Sequence, residues 1–187
     1  MNVLTYNQQR RTIRKFNQKP IDESLLTQFV DTARLCPSAG NFQPLRYRIV
    51  SRKDDCDALF PHLKWAAYLP DGTPAPQYRP TAYIVIAQDL SIRSADASLD
   101  AGAAAMTINL CAQEHGISAC WIGSVDRKAV SKMYDLDEKM KILLVLALGY
   151  PAQESTAVPV KDENIRYYED ENHNIYVPKR SLTDVLF

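Results

Sequence analysis

The sequence predicts an α+β domain in which short apolar strands alternate with helices packed over them in layers. Three observations carry that reading. Four apolar runs of strand length, residues 47–51, 83–88, 118–122 and 141–148, are bounded by turn residues. The stretches between them have helical spacing or helix-forming composition. The 187 residues, 46% apolar and 24% charged, suit a single globular domain over residues 1–187, large enough to bury about 70% of its unfolded surface.

In chain order, a first helix is expected before Arg10 and a second after Pro20. There Asp22 or Glu23 favours the N-terminus, and Leu25, Leu26, Phe29, Val30 and Ala33 recur at helical spacing until Pro37 ends it. Residues 54–68 read as a helix interrupted at Pro61. Segment 69–80, with four prolines and a glycine, is expected to be an exposed loop or lid. A long helix is expected over 94–115 with Gly116 as its C′ residue. Its middle is small and apolar on nearly every face, which buries it at the centre or in a dimer interface. Residues 126–134 read as a short helix capped by Asp126. After Pro151 the chain turns polar and tyrosine-rich. A tail of about 36 residues is too small for its own core, so it is expected to lie along the main domain or a partner subunit.

Composition removes several functions. Lys plus Arg number 22 and Asp plus Glu number 22, so the cationic excess of a nucleic-acid binder is missing. The longest apolar stretch, 142–148, is strand-sized, and the first residues contain no apolar secretory core, so neither a membrane span nor a signal is expected. Cys36, Cys56, Cys111 and Cys120 are scattered without metal-ligand spacing, which fits reduced thiols in a cytoplasmic protein and no metal site. No two of the six glycines lie closer than seven residues, so neither G-x-G-x-x-G nor a P-loop can be written.

The neutral sum hides an uneven distribution. Residues 1–53 hold ten basic and three acidic groups, against 12 and 19 in residues 54–187. The positive excess includes Arg10, Arg11, Arg14 and Lys15, with Thr12 among them. Guanidinium forks bind phosphate bidentately and a threonine hydroxyl adds a short neutral donor; a solvated basic face is the alternative. Residues 36–44 add a second polar cluster, in which Ser38, Asn41 and Gln43 both donate and accept, as the polar edge of a heterocycle requires. Plain turn chemistry explains the same residues. Lys179-Arg180 is a further basic pair near the end of the chain.

Together these motifs resemble the nitroreductase family of FMN-dependent oxidoreductases along essentially the whole chain. The resemblance rests on Arg10-Arg11-Thr12-Ile13-Arg14-Lys15-Phe16 and on Pro37-Ser38-Ala39-Gly40-Asn41-Phe42-Gln43-Pro44. It continues through Ala112-Gln113-Glu114-His115-Gly116-Ile117 leading to Cys120-Trp121-Ile122-Gly123, then Leu148-Gly149-Tyr150-Pro151 and Pro178-Lys179-Arg180-Ser181-Leu182. It implies a three-layer α/β/α fold with a mainly antiparallel central sheet and a C-terminal extension, residues 152–187, that reaches the partner of a homodimer. It implies FMN as cofactor and NADH or NADPH as hydride donor, with a nitroaromatic, quinone or flavin-type acceptor. Arg10 and Thr12, beside Arg11, would hold the FMN phosphate, joined by Lys179 or Arg180. Arg14 would stand at the N1 and O2 edge of the flavin, where a cation stabilises the charge of the reduced ring. Pro37, Ser38, Ala39 and Asn41 would come from the other subunit, Gln43 would also bind the cofactor, and the Ile122-Gly123-Ser124 turn would bring backbone N–H toward N5. Gly123 and Arg14 thus stand closest to the chemistry, with Trp65, Tyr68 and Tyr78 as candidate pocket walls. Thr12 keeps the hydroxyl of the family's usual serine, and Leu45 replaces an aromatic residue common after Gln-Pro. Two other functions share parts of this residue set: a flavin-storage or flavin-sensing module with little turnover, and a cysteine hydrolase using Cys120 and His115.

Overall fold

The computed structural model describes residues 2–69 and 72–187. Pro70 and Asp71, within the expected loop 69–80, lie outside the described residues. The first helix, α1 (Val3–Gln9), is capped by the Asn2 side chain, which accepts the Thr5 N–H at 3.0 Å. In α2 (Glu23–Ala33) the capping residue is Asp22 and Glu23 occupies the first turn; Leu26, Phe29 and Ala33 are its buried residues. The strand β1 (Leu45–Val50) starts two residues before its expected place. The expected helix over 54–68 is shorter: α3 (Lys53–Leu59) gives way to a 3₁₀ turn at Phe60–His62, because the Pro61 ring cannot continue an α-helix.

The central strand β2 (Ala82–Asp89) is buried along nearly its whole length. The long helix α4 (Ser98–Glu114) begins four residues later than expected. It ends in a Schellman motif, with Gly116 N–H donating to Gln113 O at 3.1 Å and Ile117 N–H to Ala112 O at 2.9 Å. Then follow β3 (Ser118–Ile122), α5 (Arg127–Met133), capped by the Asp126 side chain, and β4 (Met140–Gly149). None of the described helices is long and apolar enough to cross a membrane.

The four strands form an antiparallel sheet in the order β1-β2-β4-β3. Strand periodicity divides its side chains between two cores. Ala82, Ile84, Ile86, Leu146 and Leu148 join Leu26 and Phe29 of α2 and Ala104, Ala105 and Ile108 of α4. Tyr83, Val85, Val145 and Ala147 join Cys56 and Leu59 of α3 and Val130 of α5 on the other face. At about 1.5–3 kcal/mol for each large apolar side chain fully buried, these faces supply the main drive to fold. The pairing shifts where Ile86 faces Leu144 and Ala87 faces Ile142, so β4 carries Leu143 as an extra residue, a bulge. The result is the three-layer α/β/α arrangement, helices on both faces of an antiparallel sheet.

The tail builds more structure than its composition suggests. Strands β5 (Ser155–Pro159), β6 (Tyr168–Glu169) and β7 (Ile175–Lys179) form a second sheet in the order β5-β7-β6, and α6 (Leu182–Val185) follows. Ile175 is its single buried residue, so polar contacts replace a core. The Asp170 side chain accepts the Asn172 and Asn174 N–H groups, the Asn174 amide and the Tyr176 hydroxyl. The sheet folds against the N-terminal segment of its own chain, while Leu182, Val185, Leu186 and Phe187 at the very end are exposed.

Phe16 is fully buried over the backbone of Gly149. A Cβ there would stand 2.7 Å from Phe16 Cδ1 and 2.8 Å from its Cβ, contacts that the packing cannot absorb. Gly149→Ala is expected to destabilise the fold by about 1–3 kcal/mol in urea unfolding, with partial recovery when Phe16→Leu is added. An unchanged midpoint for the single variant would disprove so close an approach.

Candidate functional site

The basic segment leaves α1 and runs extended along the outer edge of β3, where Thr12 bridges in parallel to Ala119. Ile13 N–H donates to Ala119 O at 3.4 Å, and Ile13 and Phe16 are buried. Arg10, Thr12 and Arg14 are each partly buried along this segment, on either side of the buried Ile13. Arg11 is turned back instead: its guanidinium donates to Gln8 O at 2.6 Å and to Arg10 O, closing carbonyls left open at the end of α1. Among the described residues none of these three arginines pairs with a carboxylate. Arg10 is half-buried, and burial first, then the neighbouring Arg11 charge, lowers its pKa. The Nε atoms of Arg10 and Arg14 are buried without a hydrogen-bond partner. Half-buried cations with unspent donors suit an anionic ligand.

The turn after β3 ends the strand along which this strip runs. Lys64 N–H donates to Ser124 O and Arg127 Nη2 to Gly123 O, both at 3.0 Å, and Leu63 bridges to Val125. These bonds hold Ile122, Gly123 and Ser124 in place. A Cβ added to Gly123 would meet nothing within 4 Å, so bare backbone faces open space.

The other expected half lies elsewhere. In the loop before β1, the buried Asp100 at the start of α4 accepts the Ser38 hydroxyl at 2.6 Å and the Ala39 N–H at 3.4 Å. Ser38 Oγ accepts the Gln43 N–H at 3.0 Å, and the Gln43 amide donates to Asn41 Oδ1 at 3.1 Å. Gly40, Asn41 and Gln43 all have positive φ, of 58°, 54° and 52°, leaving Phe42 exposed between them. Pro37, Ser38 and Gln43 line a shallow cavity of about 160 Å³ with Asp100. Leu45 pairs with Gln88, whereas Ala119 pairs through Leu148 with Ala82. Four inter-strand steps and six residues along β2 therefore separate loop from basic strip, about 19 Å across and about 20 Å along the sheet. One protomer does not bring the two halves together. Lys179 and Arg180 are exposed at the far end of β7 from Ile175, the residue beside Arg14 and Lys15, about 13 Å away along the strand.

The tail contributes residues that sequence reasoning did not single out. Gln153 Oε1 accepts both the Arg14 and the Lys15 N–H, at 3.0 and 2.6 Å. Lys15 pairs with Glu169 at 3.1 Å, and the Arg14 guanidinium lies over the Tyr167 ring, 4.5 Å from its centroid. The tyrosine-rich composition of the tail was the only available signal. Of the expected wall residues, Tyr68 packs on Tyr167 with centroids 5.0 Å apart, Trp65 stacks on Phe60 at 5.5 Å, and Tyr78 accepts the Phe16 N–H through its carbonyl.

A thiol nucleophile is poorly served here. Burial pushes the Cys120 thiol up to about 11, although the Arg14 charge opposes the shift. His115 is exposed at the end of α4, its ring 5.8 Å from that of Phe29, which belongs to the core on the opposite face of the sheet from Cys120. Among the described residues no group of three His, Cys, Asp or Glu side chains is placed to hold a metal.

A basic strip thus runs along the edge strand of an antiparallel α/β/α sheet, and that strand ends in a glycine turn with bare backbone. The sequence profile of the nitroreductase family matches residues 8–75 and 71–150, and the chain belongs to that family. A protein of Archaeoglobus fulgidus, provisionally named NADH dehydrogenase/NAD(P)H nitroreductase, is 27% identical over 172 residues, 88% of this chain and 89% of the relative. The crystal structure of a Bacteroides thetaiotaomicron protein with the same provisional name matches with a TM-score of 0.71 at 22% identity, over 99% of this chain and 96% of that one. The structure of an FMN-dependent nitroreductase from Clostridium difficile matches with a TM-score of 0.69 at 21% identity, covering 86% and 92%. At these identities the structural likeness establishes the fold.

The Lys15–Glu169 contact makes the tail acid-sensitive. Burial alone would raise the Glu169 pKa, but hydrogen bonds from His173 and Lys15 outweigh it and hold the carboxyl below its ordinary value. A depressed pKa means that the contact stabilises above the ordinary glutamate value of about 4.3 and is lost as pH falls through the folded-state value. Limited proteolysis of the tail should accelerate on acidification below about pH 4.3, and Glu169→Gln should flatten that dependence. Equal acid acceleration in the variant would remove Glu169 from the role.

Proposed function

We propose that the protein is an FMN-dependent oxidoreductase that uses NADH or NADPH to reduce electron-poor small molecules such as nitroaromatics, quinones or flavin-type acceptors. The observation that carries this reading is the pair of half-buried arginines, Arg10 and Arg14, flanking Thr12, which meet no carboxylate among the described residues and keep buried Nε donors unspent. The residues present fit the cofactor. Arg10 and Thr12 offer a fork and a hydroxyl for a phosphate, and Arg14 offers a cation to the pyrimidine edge of a flavin ring. The bare backbone at Gly123 offers a plane against which a flat ring system can lie. Bound FMN supplies hydride acceptance and donation at N5.

This chain's own residues supply position and charge. Arg10 and Thr12 anchor the phosphate end, with Lys179 or Arg180 available from the C-terminal segment, and Arg14 stabilises negative charge at the N1 and O2 edge, raising the tendency of the ring to be reduced. The rigid Ile122-Gly123-Ser124 turn places backbone beside N5. Ser38, Ala39, Asn41 and Gln43 face a different region of the same protomer, and two copies related by a twofold axis bring the loop of one to the strip of the other. The exposed Leu182, Val185, Leu186 and Phe187 give the C-terminus apolar surface to place on that partner. The family membership and the FMN-dependent structural relative support the reading.

Purified protein is expected to quench FMN fluorescence on binding and to oxidise NADH or NADPH rapidly with a quinone or nitroaromatic acceptor. Arg10→Ala should weaken FMN binding about tenfold or more, the scale of one lost charge-assisted hydrogen-bond pair. FMN binding without turnover would favour flavin storage or sensing, and failure to take up FMN would sink both.

A further inference from the structure

The C-terminal tail holds Arg14 from two directions. Its backbone N–H is fixed by Gln153 Oε1 at 3.0 Å, and its guanidinium lies 4.5 Å from the Tyr167 ring centroid. Tyr167 is itself held: its ring packs on Tyr68 at 5.0 Å, and its hydroxyl accepts the Tyr68 N–H at 3.4 Å. Arg166 lies over the Tyr68 ring at 5.7 Å, and Glu169, two residues beyond Tyr167, takes Lys15. The two neighbouring cations are thus treated differently. Lys15 meets a carboxylate that neutralises it, whereas Arg14 meets a π face, which attracts a cation without cancelling its charge. An aromatic partner fixes the guanidinium and leaves its field intact for whatever lies beyond it.

We propose that Tyr167 is a positioning residue for Arg14, its ring holding the guanidinium so that the tail sets the charge felt at the flavin. The proposal rests on the reading above that Arg14 faces the N1 and O2 edge. It assigns the segment 153–169 a role in tuning the flavin from within its own chain, separate from any contact of the last residues with a partner.

The test uses the full-length protein with FMN and the variants Tyr167→Leu, Tyr167→Phe, Arg14→Met and Arg14→Met/Tyr167→Leu. Dye-coupled reduction gives the two-electron potential of bound flavin, and urea unfolding without FMN reads the coupling of the two side chains. Arg14→Met should lower the potential. Tyr167→Leu should lower it too, the preference for reduced over oxidised FMN falling about three- to tenfold, which is about 15 to 30 mV. Tyr167→Phe should restore the wild-type value, and Tyr167→Leu should add nothing once Arg14 is methionine. If Arg14→Met lowers the potential and Tyr167→Leu does not, or if Tyr167→Leu shifts it equally in both backgrounds, the positioning role is wrong. If Arg14→Met leaves the potential unchanged, or wild-type protein holds no FMN, the underlying flavin reading fails and the proposal with it. Coupling in the urea cycle then shows whether the contact exists apart from any flavin.

Discussion

The close approach of Phe16 to Gly149 is the contact on which the arrangement of the site depends. It presses the end of the basic strip against the last residue of β4, with Asn17 N–H bonded to Tyr150 O at 2.9 Å and Ala152 N–H to Lys15 O at the same distance. Because Phe16 cannot slide, Thr12 stays opposite Ala119 and Arg14 stays beside β3. The same contact delivers the chain after Pro151 next to residues 14 and 15, where Gln153 bonds both backbone amides. One buried aromatic thereby sets the register of the cationic strip and the starting point of the tail.

Electrostatics then gives the strip its character. A half-buried arginine loses hydration, and among the described residues no carboxylate offsets that loss at Arg10 or Arg14; at Arg14 the Tyr167 ring does so in part. The fold tolerates the cost because the two sheet faces bury a large apolar area. Other charges are matched: Asp100 is held by Ser38, Ala39 and Arg93, and Lys53 by Asp57. The strip differs from these pairs in that its two half-buried guanidinium groups meet no carboxylate among the described residues.

Much of the fold was legible in the amino-acid order. The apolar runs at 83–88, 118–122 and 141–148 are strands, Asp22 and Asp126 cap their helices, and Gly116 ends α4. These features depend on neighbours within a few residues, where caps, prolines and periodicity act. The late start of α4 and the short α3 mark where local signals compete: Pro61 ends the helix that residues 54–68 are expected to form. The tail escaped because its contacts are polar and distant. Gln153 to Arg14 spans 139 residues, and nothing in the composition of either segment announces the pairing.

The sequence by itself determined the elements, the two-faced sheet and the identity of the polar residues available for chemistry, because these follow from side-chain periodicity and local hydrogen bonding. Only the tertiary structure decided how they are deployed. It spent Arg11 on the end of α1 and left Arg10 and Arg14 free of carboxylates. It set the loop 37–43 diagonally across the sheet from the strip, and it laid Tyr167 over Arg14. Those outcomes depend on which strand edges meet and on what a buried ring excludes, and such long-range packing is invisible to any window of neighbouring residues.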